Sequence, residues 1–291
     1  MLSEKETKEI QTLLYLLEDA SIADEIEKHL LQKKDLLKQY ISHTPDAIQN
    51  VYLQSVLGKF VSEEVFTNFS QWLQKGCRDI FEGAMLITQY MNPHIDTKPY
   101  YEAIHKWNQK VLSNLPVYPT PIDIVRSINL VLFKKEGFHG ATENYQYPEN
   151  SYLHHVIEKR KGIPLSLSIL YLSLAQRMRV PIFGVNLPAH FIMMYRDANE
   201  EFYINAFNQG AIFHKSEIDA FIQNVQLSPK PEYYNPCANI DIVKRMLVNL
   251  RNSYISLNNT EKLKRLEHFA RRFFPEYFIS TNSDEPPTEE E

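Results

Sequence analysis

A helix-rich α+β fold is what this sequence predicts, and three observations predict it. Only 8 glycines occur among 291 residues, which leaves few positions for tight hairpins. The first half carries apolar residues at helical spacing behind recognisable helix-start residues. Short strand-like segments then cluster between residues 182 and 214. Their links are too short for a parallel crossover, so they pair antiparallel.

The chain is 44% hydrophobic and 23% charged, the composition of a folded protein with room for one large domain or two small ones. Formal net charge is -5, with both signs spread along the chain, and the pI is about 6.1. That argues against a basic face for nucleic acid. The two cysteines, Cys77 and Cys237, lack metal-ligand spacing and are too few for a disulfide framework, which suits a reducing compartment. The N-terminal stretch is charged and amphipathic, without a signal-like apolar core. The most apolar run, IPLSLSILYLSLA, is well short of the roughly 20 residues that span a bilayer. A cytoplasmic protein with no membrane partner is expected.

Residues 1–117 read as an all-helical region. Ser3 and Glu6 form a capping box ahead of Leu13, Leu14, Leu16 and Leu17. The stretch LLYLLEDASIADEIEKHLLQKKDLLKQY hints at a HEAT-like helix pair. Thr44-Pro45 and Thr120-Pro121 each place a capping residue before a proline at the first helical position. Ser62, followed by Glu63 and Glu64, predicts a further start, with an end near Gly76. Tyr101, Ile104, Trp107 (or Asn108) and Val111 have helical spacing. The proline-rich LPVYPTP predicts a domain boundary.

Residues 118–232 form the predicted core. Helices through DIVRSINLVLF, NSYLHHVIEKR and PLSLSILYLSLAQRM precede the strands IFGVN, HFIMMY, FYINAF and AIFH. Residues 233–278 read as a helical hairpin resembling one tetratricopeptide-type repeat, which must dock on the preceding domain because one repeat cannot bury its own face. Residues 279–291 are polar and acidic, and are expected to be disordered.

A Cys or Ser nucleophile needs a base within hydrogen-bond reach and a third group to orient that base. His190 opens one strand and Asn205 lies on the next, so pairing can set them side by side. The alternative is a partly buried structural histidine. His154 and Glu158, four apart on a helix, make only half of a metal site, and an exposed polar helix face is the favoured reading. His139, His155 and His214 add no ligand spacing. Tyr145, Tyr147 and Tyr152 read as packing around a helix start, and no glycine-rich phosphate loop occurs. No cofactor and no metal are expected.

The blocks Asn-Ser-Tyr-Leu, Gly-Ile-Pro-x-Ser-Leu and Pro-x-His-Phe, in that order between about Asp123 and Phe213, resemble the SirB-one family. This is the bacterial branch of the transglutaminase-like superfamily, and a related domain occurs in a eukaryotic F-box protein. The resemblance implies a papain-like core, with a central helix on an antiparallel sheet and a tetratricopeptide-like hairpin as companion. Active relatives open that helix with Gly-x-Cys and carry His and Asp on adjacent strands. Here Pro164 stands at the cysteine position, His190 matches the His, and Asn205 matches the Asp.

Proline has neither a nucleophile nor an N–H, so the triad is vestigial. Ser168, on the Pro164 face one turn deeper, is the remaining candidate on the helix, and its hydroxyl is expected to bond back to a helix carbonyl. Pro-Ala-His-Phe and Asn-Ala-Phe stand where the family commonly has Pro-Gly-His-Phe and Asp-Pro-Phe. The expected function is a non-catalytic protein or peptide binding module, with a cleft between Pro164 and the strands of His190 and Asn205. Asn150, Tyr152 and Asn186 join His190 and Asn205 as expected binding residues. The alternative is a hydrolase or acyltransferase using His190 and Asn205 with Ser168 or Cys237. A third possibility is a scaffold that makes its contacts through residues 1–115.

Overall fold

The computed structural model describes residues 2–19, 21–44 and 51–275. Pro45 of the expected Thr44-Pro45 helix start and the acidic tail 279–291 lie outside the described residues. The chain divides into two compact units, Met1–Gln71 with Asn92–Ile95 and Trp72–Met91 with Asp96–Glu291. The expected boundary near residue 117 thus falls inside the second unit.

In the first unit, α1 (Glu4–Leu16) starts from the Ser3 box. The Glu6 N–H donates to Ser3 Oγ at 3.2 Å and the Ser3 N–H to Glu6 Oε2 at 2.8 Å. With α2 (Ala23–Gln32) and α3 (Lys34–His43) it closes a core of Ile10, Leu14, Leu30, Leu37 and Tyr40. The next helix, α4 (Val51–Gln74), corrects the start expected at Ser62. The helix runs straight through, because the apolar register continues and the Ser62 hydroxyl donates to Gly58 O at 2.6 Å. It ends before Gly76, whose φ is +77°.

The second unit holds a helix that the sequence does not announce, α5 (Ile80–Met91). Nearly every residue in it is buried, so it shows no amphipathic stripe. Asp79 Oδ1 caps its start through the N–H groups of Phe81 and Glu82. Then come α6 (Lys98–Ser113), with Ile104, Trp107 and Val111 buried, and α7 (Pro121–Asn129), which starts at Thr120-Pro121 as expected and adds a Thr120–Asp123 capping box. A π-helical turn at Leu130–Lys135 follows. The two-residue strands β1 (His139–Gly140) and β2 (Lys161–Gly162) pair in parallel and flank α8 (Leu153–Lys159).

The central helix α9 (Pro164–Arg177) is buried from Pro164 to Ala175 and meets α5, α6 and the first two strands of the main sheet. That sheet is an antiparallel meander of β3 (Ile182–Val185), β4 (Ile192–Arg196), β5 (Glu201–Asn205) and β6 (Ala211–Phe213), in spatial order β3-β4-β5-β6. Each strand overlaps one of the four segments the sequence predicts, with β4 running one residue further to Arg196 and β5 starting one residue earlier at Glu201. A further helix not among the predicted elements, α10 (Lys215–Asn224), covers one sheet face. There Ile218 and Ile222 pack on Val185, Ile192, Met194 and Tyr203.

Two helices complete the unit, α11 (Asn239–Ser256) and α12 (Thr260–Phe273), which pack on each other across a turn in which Asn258 adopts φ +53°. They dock as the sequence requires, α11 against α5 and α9. From α12, Arg265 donates to Tyr90 O and Lys262 to Met91 O. These cations satisfy the orphan carbonyls at the end of α5.

Candidate functional site

The start of α9 is built by hydrogen bonds to one loop residue. Asn150 O accepts from Ser166 Oγ at 2.6 Å and from the Ile163 N–H at 3.3 Å, while Asn150 Nδ2 donates to Asn144 O at 2.7 Å. Gly162 is required because a Cβ there would stand 2.6 Å from Ser166 Oγ. Pro164 then fills the first helical position and is itself buried, a place where its fixed φ and missing N–H cost nothing.

Ser168 is wholly buried, and its hydroxyl has no hydrogen-bond partner among the described residues. This corrects the expected bond back to a helix carbonyl, which Ser173 makes instead, to Ile169 O at 2.5 Å. Cys237 lies at the outer edge of β3, its N–H donating to Gly184 O at 2.8 Å. Burial, reinforced by the Asp241 carboxylate, pushes its thiol up to about 12. It is therefore a neutral thiol at physiological pH and a poor nucleophile.

His190 and Asn205, predicted as neighbours, are brought together. The Asn205 side chain neighbours the His190 imidazole and favours its charged form. Asn205 Oδ1 in turn accepts from the Asn208 N–H at 3.2 Å. Burial holds the imidazole below its ordinary pKa; the Asn205 side chain opposes that shift, and the Arg245 charge adds to it. The ring is neutral at pH 7. It follows Ala189, whose φ of +55° lies in the left-handed region.

Beside this pair is a cavity of about 400 Å³. Leu187, Ile192, Phe213, Ile218 and Phe221 supply apolar walls, and His190, Asn205, Asn208 and Glu217 supply the polar groups. Hydrogen bonds from the His214 N–H and the Ser216 hydroxyl hold the Glu217 carboxyl below its ordinary pKa. The cavity lies between the end of the sheet and α10, and no residue of α9 lines it. Pro164, against which a cleft is expected, is not among its lining residues. A signal for α10 is present in the sequence: Glu217 in the first turn, with Ile218 and Ile222 four apart. The arrangement offers hydrogen bonds at one end of an apolar pocket, with no hydroxyl or thiol among the lining residues.

The other predicted residues are engaged elsewhere. Asn186 Oδ1 accepts from Arg245 at 3.3 Å, and so meets the site through the charge that acts on His190. Tyr152 is buried, with its hydroxyl paired to that of Tyr254. His154 does not lie on the expected exposed polar face. It is only 6% exposed, between the rings of Tyr100, Tyr152 and His155, with Nδ1 unpartnered among the described residues. Burial and the neighbouring His155 lower its pKa to about 4. Tyr145 packs edge-on against Phe207, whose ring also lies so close to Gly140 that a Cβ there would be 2.5 Å away. Among the described residues no cluster of three His, Cys, Asp or Glu could hold a metal, and no helix is long and apolar enough to cross a membrane.

Comparison with known proteins follows the same geography. A family model described as the transglutaminase-like superfamily matches residues 98–248. A UPF0162 protein of Xylella fastidiosa is 26% identical over 189 residues, covering 62% of this chain and 67% of that protein. F-box only protein 21 of Mus musculus is 28% identical over 203 residues, 62% of this chain but only 31% of its own length. A UPF0162 protein of Vibrio cholerae is 29% identical over 152 residues, covering 50% of this chain and 56% of that protein. No solved structure matches the chain.

Proposed function

This chain belongs to the transglutaminase-like superfamily, and we propose that it is a catalytically degenerate member that binds a protein or peptide segment in the cavity beside His190. The observation that carries this reading is the buried Pro164 at the first position of α9, where the family resemblance implies a thiol in active members. Support comes also from the wholly buried Ser168 and the raised thiol of Cys237. What remains is a neutral imidazole beside an amide at the end of an apolar pocket, which is a recognition surface rather than a reacting one. The likeness to F-box only protein 21 is in keeping with a role in protein assemblies. Of the expected binding residues, His190 and Asn205 contact the ligand directly, Asn186 acts through Arg245, and Asn150 and Tyr152 hold the scaffold.

The test combines activity and binding. Incorporation of a fluorescent amine into casein by the full chain should not exceed that of a heat-inactivated control. Linear peptides selected by phage display on the full chain should lose at least about ten-fold in affinity when His190→Trp fills the cavity, about 1.4 kcal/mol. Amine incorporation that vanishes in His190→Ala would overturn the reading.

A further inference from the structure

The main sheet has an open edge, and its hydrogen-bond phase can be read off the ladder. The Asp197 N–H donates to Glu200 O at 3.0 Å, just beyond the Arg196–Glu201 pair. Bonded pairs alternate with non-bonded pairs in an antiparallel ladder, so Phe202 and Ile204 direct their main-chain groups toward β4. Tyr203 and Asn205 therefore direct theirs toward β6. The far end agrees, since the Gly210 N–H donates to Asn205 O at 2.8 Å. Ile212, which lies opposite Ile204, is thus in a non-bonded pair, and its N–H and C=O point away from the sheet. β6 is the terminal strand, and neither group has another main-chain partner among the described residues.

The same edge borders the cavity. Ala211, Ile212 and Phe213 all line it, yet successive strand residues face opposite sides of a sheet. The cavity therefore borders the main chain of β6 as well as its side chains. Ile212 is 37% exposed.

We propose that the edge of β6 accepts an extended segment of a partner protein as an added β-strand. One residue of that segment pairs with the N–H and C=O of Ile212, and a neighbouring apolar side chain enters the cavity against Ile218 and Phe221. A donor and an acceptor on one residue, spaced for a strand, are matched by one residue of extended chain. The inference rests on the binding reading above and adds the conformation and chemistry of the ligand.

The probe is a linear peptide obtained by phage display on the full chain. Ile212→Pro should weaken it by at least about ten-fold and Ile212→Val by far less, because only the proline removes the N–H. In the wild-type chain the Ile212 amide should exchange quickly when free, and at least about ten-fold more slowly when saturated with peptide. Should Ile212→Pro fail to fold, that exchange measurement decides by itself, and unchanged exchange overturns the proposal. If His190→Trp abolishes binding while Ile212 exchange is unaffected, the binding cavity stands and strand addition falls. If no peptide is enriched, both fall. Self-association that Ile212→Pro abolishes would assign the edge to a second copy and overturn the proposal.

Discussion

Ala189 carries the clearest residue-scale consequence. Its φ of +55° places a Cβ where an L-residue is strained. Ala189→Gly should stabilise the protein by up to about 1 kcal/mol, the relief of left-handed strain less the added freedom of the unfolded chain. Urea denaturation measures it, and a loss of stability would contradict the strain. His154 has the second. Its folded pKa of about 4 lies below the ordinary 6.5, so its contribution is complete above 6.5 and is lost as pH falls toward 4. His190, also lowered, acts in the same direction. Each adds a slope of at most about 1.4 kcal/mol per pH unit. His154→Phe, set among aromatic rings, should flatten the fall in urea midpoint between pH 7 and 4.5 without loss at pH 7. The sequence points to His190 and Asn205 because strand spacing brings them together, but the packing of His154 also involves the Tyr100 ring from a distant segment, which leaves no local trace.

At the scale of elements, the start of α9 tests how a glycine and a serine depend on each other. Gly162→Ala should destabilise by about 1–3 kcal/mol, because its Cβ meets Ser166 Oγ at 2.6 Å and Val156 Cγ1 at 3.0 Å. Ser166→Ala should cost about 1 kcal/mol by removing the bond to Asn150 O. The double variant should be less destabilised than the sum, since one clash partner is gone, and a double-mutant cycle in urea reads the difference. The helices marked by capping residues and apolar spacing, α1, α6 and α7, are legible in the sequence. By contrast, α5 is apolar on every side and has no stripe to read. The Ser62 signal misleads because a serine inside a long helix can satisfy its hydroxyl on the preceding turn.

For the molecule as a whole, protection from hydrogen exchange should follow the burial pattern. Amides of α9 and β4, buried almost throughout, should exchange slowest, while Ile212 on the open edge should exchange among the fastest in the sheet. Fast exchange across α9 would contradict its central place. Alkylation of Cys237 by iodoacetamide at pH 8 should run orders of magnitude slower than that of a free thiol, because its pKa of about 12 leaves almost no thiolate. The sequence alone determined the antiparallel meander, the neighbourhood of His190 and Asn205, and the proline that opens α9. Those rest on local spacing, turn length and residue identity. Only the tertiary structure decided that Ser168 is sealed in the core, that Cys237 lies at the edge of β3, and that the cavity opens toward α10 and the edge of β6. Those depend on which elements cover which face, and contacts between segments far apart in the chain set that arrangement.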